Sequence, residues 1–311
     1  MPNQTMALAA TDRFTFEPQD RKSIPTREGV VGAILSLIVV GAAIHQARGL
    51  DFATILELVP ASPTFWVLFA ISYLIGPATD WFIFHRLWGV GASAFGALIR
   101  KLIYNEMLVG YFGEVYFYGW ARHNLEFVTT PFGAVKDVAV LSAVAGNVTT
   151  LVFLVVAFPF VRLLPLHEHA TAIGLSLAFV IGSSLAVMLL RGALFSLERS
   201  ELQMVFATHL FRILATTVLS AALWHLVLPD VALGWWLLLV TIRLLISRLP
   251  FVPNKDIVFA GIAVLALGEV EIAALMALMA GLILAAHVLA GLSFALADLL
   301  TKGRSDETPA L

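Results

Sequence analysis

The sequence lacks cysteine altogether, and only 13% of its 311 residues are charged. The absence of cysteine excludes disulfide bonds, thiol nucleophiles and thiolate metal sites. A soluble globular chain typically has about 25% charged residues, so the low charge excludes an ordinary soluble fold. The sequence also lacks a basic stripe of the kind that binds nucleic acid, and we expect no nucleic-acid partner.

Apolar residues take the place of the missing charge. They make up 60% of the chain, and the mean hydropathy is +0.92. We therefore predict an all-α integral membrane protein of the cell inner (cytoplasmic) membrane. Residues 1–29 are predicted to be a polar cytoplasmic tail, 30–298 a single transmembrane domain, and 299–311 a second cytoplasmic tail. Hydropathy predicts six spans, at residues 30–47, 64–84, 134–160, 171–190, 204–228 and 272–296.

Two interrupted, charged segments lie between the predicted spans, at residues 99–119 and 242–261. The second contains two prolines, which remove backbone donors and do not fit a straight span. We therefore predict that each segment forms a re-entrant hairpin. With one residue skipped, the two segments align so that Arg100 falls on Arg243. We expect these two arginines to approach one another near the membrane midplane and to face one polar cavity.

The aligned segments indicate an internal repeat. The offset from Glu114 to Asp256 is 142 residues, and it also carries the first, second and third predicted spans onto the fourth, fifth and sixth. We therefore predict two homologous halves, about 30–160 and 171–298, each with two spans, a re-entrant hairpin and one span. Because three crossings is an odd number, the second half must be inverted relative to the first, as in many transporters. The basic residues of the loops place both termini in the cytoplasm.

Two stretches resemble the signature regions of a known family. Residues 105–124, NEMLVGYFGEVYFYGWARHN, and residues 248–268, RLPFVPNKDIVFAGIAVLALG, are similar to those of the lysylphosphatidylglycerol synthase transmembrane-region family, whose members are flippase-like integral membrane proteins. The resemblance covers most of residues 30–300, and it implies translocation of a lipid across the membrane. We expect no synthase domain, because only short tails flank the predicted spans.

Individual residues carry the resemblance. Gly113 and Glu114 match a Gly-Asp pair in the first hairpin of the family, and Arg122 is the candidate for the arginine that follows it. Pro250 and Pro253 match the prolines of the later motif. The next three residues, Asn-Lys-Asp, replace the glycines of that motif, and the glutamate of the family does not follow.

Charged side chains at membrane depth are the basis of the predicted site. An Arg or Lys at a helix centre costs about 2.5–3.5 kcal/mol on insertion scales, so such residues survive mainly beside a partner or in a wet cavity. Arginines and the N-termini of broken helices favour anions. We therefore expect a midplane site for a membrane lipid with an anionic head group, either an anionic phospholipid or a polyprenyl-linked glycolipid. The predicted substrate-binding residues are Arg100, Lys101, Glu106, Glu114, Arg122, Arg212, Arg243, Arg248, Lys255 and Asp256.

These charges also have a second interpretation. The hairpin charges either bind a ligand, or they pair with each other to hold the hairpins or lie at the membrane interface. Arg212, in the fifth predicted span, is weighed equally as part of the site and as the partner of an acidic hairpin residue. His287, in the last span, is more often an interhelical hydrogen-bonded histidine than a cavity residue.

The sequence contains no set of nucleophile, base and orienting residue and no ATP-binding motif. We therefore expect a transporter rather than an enzyme, with no cofactor and no metal. Two other function classes compete with this prediction. A lipid head-group transferase needs a nucleophile or a metal set that faces the membrane. A noncatalytic scaffold for a separate lipid-modifying enzyme needs only charge-neutral hairpins. The sequence is also compatible with a homo-oligomer.

Overall fold

The computed structural model is built of α-helices. All regular secondary structure in the described residues is α-helical, which confirms the predicted class for that part of the chain. The predicted first span, most of the fourth span and most of the second hairpin lie outside the described residues. The structure describes residues 59–107, 112–125, 131–161, 195–248 and 269–306, together with the single positions 178, 182, 259 and 263.

Seven helices have defined bounds within the described ranges. Four of them are of membrane length and three are shorter. In chain order they are α1 (Pro63–Trp88), α2 (Ser93–Met107), α3 (Phe112–Asn124), α4 (Phe132–Val161), α5 (Arg199–Val227), α6 (Leu233–Arg248) and α7 (Glu269–Asp306).

In the described part of the chain, four helices are long and apolar enough to cross a membrane: α1, α4, α5 and α7. They correspond to the second, third, fifth and sixth predicted spans. Large apolar side chains such as Val155, Phe211 and Leu289 lie more than half exposed along these helices. Extended apolar surface of this kind marks a region that contacts lipid or a partner rather than water. The helices therefore have the length and the surface of a membrane protein.

The middle of α1 departs from regular helical hydrogen bonding. Pro77 lies inside this helix, where it has no N–H to donate to the carbonyl of Tyr73, four residues earlier. The hydroxyl of Thr79 donates to the carbonyl oxygens of Ile75 at 2.8 Å and Gly76 at 2.9 Å. One helical backbone hydrogen bond is therefore missing near the centre of α1.

α1 and α5 end in similar ways. The Nδ1 atom of His85, in the last turn of α1, lies 2.8 Å from the carbonyl oxygen of Val90. The Nδ1 atom of His225, in the last turn of α5, lies 2.9 Å from that of Val231. Because a carbonyl oxygen only accepts, each Nδ1 must donate. Each histidine thereby ties its long helix to the loop that leads into the next short helix.

α1 and α5 pack side by side at the centre of the protein and run in opposite directions. Asp80 of α1 meets Arg212 of α5 at one level. Phe65 of α1 and Trp224 of α5 belong to one apolar cluster at another level. Residue numbers therefore rise along one helix as they fall along the other.

Two apolar clusters lie at opposite ends of this helix pair. The first contains Phe65 and Trp224, together with Trp236 at the start of α6. The second contains Phe84, at the other end of α1, together with Ala94 at the start of α2. The two short helices α2 and α6 therefore begin at opposite ends of the α1 and α5 pair.

The contacts between helices repeat in a pairwise pattern. α1 packs on α5. The contact of α1 with α2 corresponds to that of α5 with α6, and the contact of α7 with α2 corresponds to that of α4 with α6. These contacts are matched when α1, α2 and α4 are exchanged for α5, α6 and α7. The close packing of α4 on α5 is the exception, because α7 has no comparable packing on α1 among the described residues. α3 packs on α2 and on α4, which attaches it to the first set of helices.

Candidate functional site

Neighbouring residues of α2 point in different directions, because successive residues of an α-helix are about 100° apart. Arg100 lies 2.7 Å from Oδ1 of Asp298 on α7, and its guanidinium lies 4.7 Å from the ring centre of Phe294. Lys101 faces α1, whereas Leu102 faces a cavity. One short helix therefore contributes to three different environments.

Lys101 belongs to a set of four buried or partly buried charged side chains, Asp80, Lys101, Glu114 and Arg212, which we name the charge network. Lys101 Nζ lies 2.7 Å from Asp80 Oδ2 and 3.4 Å from Glu114 Oε1. Arg212 donates to Asp80 Oδ1 at 3.0 Å and to Ser142 Oγ at 2.8 Å. With two carboxylates and two cations, the charge network is neutral when all its members are ionised.

Asn105 and Gly113 join α3 to α2 beside the charge network. The side-chain amide of Asn105 donates to Glu114 Oε1 at 3.2 Å, and its Oδ1 accepts from the backbone N–H of Gly113 at 2.7 Å. A Cβ at Gly113 would overlap the carbonyl oxygen of Lys101 and come within 2.7 Å of Asn105 Oδ1. Glycine is therefore required for α3 to approach closely enough for Glu114 to reach Lys101.

The charge network connects helices rather than lining an open space. Its members come from α1, α2, α3 and α5, and Asp80 and Lys101 are buried. Removing one member of a buried pair is strongly destabilising, because the other charge is left uncompensated. Close pairing across four helices therefore indicates a structural role.

A cavity of about 210 Å³ lies between α1, α2, α5, α6 and α7. Apolar side chains form about half of its lining residues, and polar side chains form the rest, a mixture typical of small-molecule sites. The apolar lining residues are Phe69, Leu102, Leu223, Trp224, Met279 and Ile283. The polar lining residues are Ser72, Tyr73, Glu106, Ser220, Arg243 and His287.

Two of the polar lining residues are hydrogen-bonded to each other. The hydroxyl oxygen of Tyr73 on α1 lies 3.0 Å from Nδ1 of His287 on α7. This is the interhelical bond that the sequence favoured for His287, and the same histidine also lines the cavity. The pair fixes the position of the Tyr73 hydroxyl at the cavity wall.

Glu106 and Arg243 bring opposite charges to the cavity without pairing. The two side chains interact electrostatically, yet neither forms an ion pair or a hydrogen bond with any residue that the structure describes. The guanidinium of Arg243 lies 6.0 Å from the ring centre of Phe259. Among the described residues, both charges therefore lack a partner.

The predicted site residues fall into separate groups. Lys101, Glu114 and Arg212 meet in the charge network, whereas Glu106 and Arg243 meet at the cavity. The partner of Arg212 is thus an acidic residue of a span rather than one of a hairpin. The sequence predicted one polar site, and the structure contains two sets of charged side chains on different faces of α2.

The remaining predicted site residues lie elsewhere. Arg100 pairs with Asp298, so the expected meeting of Arg100 and Arg243 in one cavity is not seen among the described residues. The cause is the phase of α2, which turns Lys101 toward α1 and Arg100 toward α7. Arg122 is exposed near the end of α3. The side chains of Arg248, Lys255 and Asp256 lie outside the described residues.

Sequence reasoning missed Asp80, the residue that contacts both Lys101 and Arg212. Its signal was present, because Asp80 is the sole acidic residue of Pro63–Trp88, and charges at membrane depth require a partner or a wet cavity. Tyr73 had no comparable signal, since an uncharged tyrosine in a span does not demand a polar partner as strongly as a carboxylate does.

No family model, no curated protein and no solved structure matches the chain. The resemblance of residues 105–124 and 248–268 to a flippase-like family stays a prediction. The geometry of the charge network and of the cavity is therefore the available indication of function.

Proposed function

We propose that the protein binds the phosphate of a phospholipid head group in the cavity and moves that lipid across the membrane without ATP. The proposal depends chiefly on Arg243, a cation that lines a cavity among membrane-length helices and has no carboxylate partner among the described residues. Tyr73 and His287, which line the same cavity, lie near the middle of their apolar helices. An unpaired arginine at that depth is costly, and an anionic ligand compensates its charge.

The cavity wall supports a small phosphate-bearing ligand. A guanidinium presents paired donors that fit two oxygens of one phosphate. The hydroxyls of Ser72 and Ser220 line the same cavity and supply further donors. Its volume, about 210 Å³, is below the roughly 300–1,000 Å³ of typical pockets for drug-sized ligands. These features favour a phospholipid head group over the sugars of a polyprenyl-linked glycolipid.

We infer that two inverted halves provide the movement. When α1, α2 and α4 are exchanged for α5, α6 and α7, the contacts of α1 with α2 and of α7 with α2 have counterparts, whereas the packing of α4 on α5 has no comparable one among the described residues. α2 and α6 also begin at opposite ends of the central helix pair. Both observations support a two-fold relation in the membrane plane, with α2 and α3 as the first re-entrant hairpin. In transporters of this plan, one half rocks against the other around a midplane site.

Single cysteines test the inversion, because the native chain contains none. Ala92 and Asp230 lie exposed in the loops that precede α2 and α6. We expect an impermeant maleimide added to intact cells to label Asp230→Cys and not Ala92→Cys, and to label both after permeabilisation. Labelling of both positions in intact cells would contradict the inverted arrangement.

One observation favours a second candidate function. The charge network is neutral, and its members pair with each other, as expected if the first hairpin only holds together a scaffold for a separate lipid-modifying enzyme. A scaffold needs no ligand at Arg243. Measuring lipid movement therefore separates the two functions.

Translocation in proteoliposomes tests the proposed function. The rate at which an acyl-labelled phospholipid becomes accessible to an impermeant quencher reports its movement. Arg243→Gln should lower this rate by about tenfold or more, since a hydrogen bond to a charged group contributes about 1.5–3 kcal/mol. Arg100→Gln removes an equal charge from the partly exposed pair with Asp298 and should change the rate less than about twofold. Equal rates for the wild type and Arg243→Gln would overturn the proposal.

A further inference from the structure

The cavity contains opposite charges that do not meet. Glu106 on α2 and Arg243 on α6 both line it, and they interact electrostatically without forming an ion pair. In the charge network of the same protein, Lys101 lies 2.7 Å and 3.4 Å from its two carboxylate partners. The fold thus brings charges into contact where they hold helices together. At the cavity, Glu106 and Arg243 line one space without an ion pair between them.

We propose that the cavity selects a zwitterionic head group whose phosphate binds Arg243 and whose protonated amine binds Glu106. This inference rests on the proposed function, because it concerns the ligand of the same cavity. A purely anionic head group compensates Arg243 and leaves the carboxylate of Glu106 uncompensated among membrane-length helices. A head group with both charges compensates both side chains.

The cavity wall supplies further partners for the amine. A protonated primary amine has three N–H donors. The carboxylate of Glu106 accepts from it, and the hydroxyl oxygens of Ser72 and Ser220 line the same space. The hydroxyl of Tyr73 is positioned at the wall by His287. An amine between these groups therefore has acceptors on α1, α2 and α5.

The size of the cavity agrees with this ligand. The cavity has a volume of about 210 Å³. A head group of the size of phosphoethanolamine suits this space. Glu106 and Arg243 are both exposed, so their charged groups are accessible to a head group at the cavity.

Head-group preference in proteoliposomes tests the inference. Acyl-labelled phosphatidylethanolamine and phosphatidylglycerol share a phosphodiester and differ in the amine. We expect the wild-type protein to move the ethanolamine lipid about tenfold faster, which corresponds to about 1.4 kcal/mol. Glu106→Gln retains the shape of the side chain and removes its charge, so the preference should disappear, mainly through slower movement of the ethanolamine lipid. The matched control Asp298→Asn removes an acidic charge outside the cavity and should retain the preference.

The outcomes separate this inference from the proposed function. Equal rates for the two lipids in the wild type, both lost in Arg243→Gln, would overturn the zwitterion inference and leave the proposed function standing. No movement of either lipid would overturn both. A preference that survives Glu106→Gln in folded protein would also overturn the inference, because the amine would then be selected without Glu106. The wild-type preference is decisive by itself, so the test does not depend on the folding of a variant.

Discussion

The charge network and the cavity lie on different faces of α2 and use charge in opposite ways. In the network, Lys101 contacts two carboxylates at 2.7 Å and 3.4 Å. At the cavity, Glu106 and Arg243 share one space without pairing. The difference shows that a charge in a membrane helix does not by itself mark a ligand site. We infer that pairing within the protein separates charges with a structural role from those proposed to bind a ligand.

Asp80→Ala tests whether the charge network is structural, and it should have the largest effect of the changes considered. Without Asp80, the cations Lys101 and Arg212 lose their shared partner. Breaking a buried pair in this way typically costs about 3–5 kcal/mol. We expect a low yield of folded protein and a clearly lower midpoint of thermal aggregation in detergent. A variant that melts like the wild type and loses only translocation would give the network a role in transport instead.

The close approach of α3 to α2 brings Glu114 to the charge network, and a larger residue at Gly113 tests it. Gly113→Ala places a methyl group against the Lys101 carbonyl, and overpacking of this kind costs about 1–3 kcal/mol. Gly119→Ala is the matched control on the same helix, since nothing lies within 4 Å of its new Cβ. That change should be neutral or stabilising by up to about 1 kcal/mol. Equal melting midpoints for the two variants would contradict the close packing of the helices.

The Tyr73 and His287 pair is a polar contact within the cavity wall, and its removal should have a modest effect. Tyr73→Phe deletes the hydroxyl that lies 3.0 Å from His287, and a single hydrogen bond contributes about 1 kcal/mol. In the background of His287→Ala, the same change should have almost no further effect on the melting midpoint, because the two residues share one interaction. Additive losses would show that the two side chains act independently.

The pair of Arg100 and Asp298 should have the smallest effect on stability. The Asp298 side chain is 60% exposed, and exposed ion pairs contribute about 0–1 kcal/mol. We expect Asp298→Asn to melt within about a degree or two of the wild type. A loss as large as that of Asp80→Ala would mean that this pair acts as part of the structural network.

The membrane class and the long helices were predictable because a span requires a long apolar run, which hydropathy detects without knowledge of neighbours. The same averaging concealed Asp80, since one carboxylate among many apolar residues hardly changes the mean over a span. The separation of Lys101 from Glu106 was not predictable. It depends on which face of α2 meets α1 and which meets the cavity, and the sequence of one helix does not specify its neighbours.

The most direct test of the central claim is the shift in melting midpoint that added short-chain phosphatidylethanolamine produces in detergent-purified protein. A ligand that binds the folded state raises its stability in proportion to the logarithm of its concentration relative to Kd. We predict that wild type and Arg100→Gln shift upward with added lipid, whereas Arg243→Gln begins at or above the wild-type midpoint and does not shift. An equal shift in Arg243→Gln, or a lipid-free midpoint as low as that of Asp80→Ala, would contradict the distinction between paired and unpaired charges.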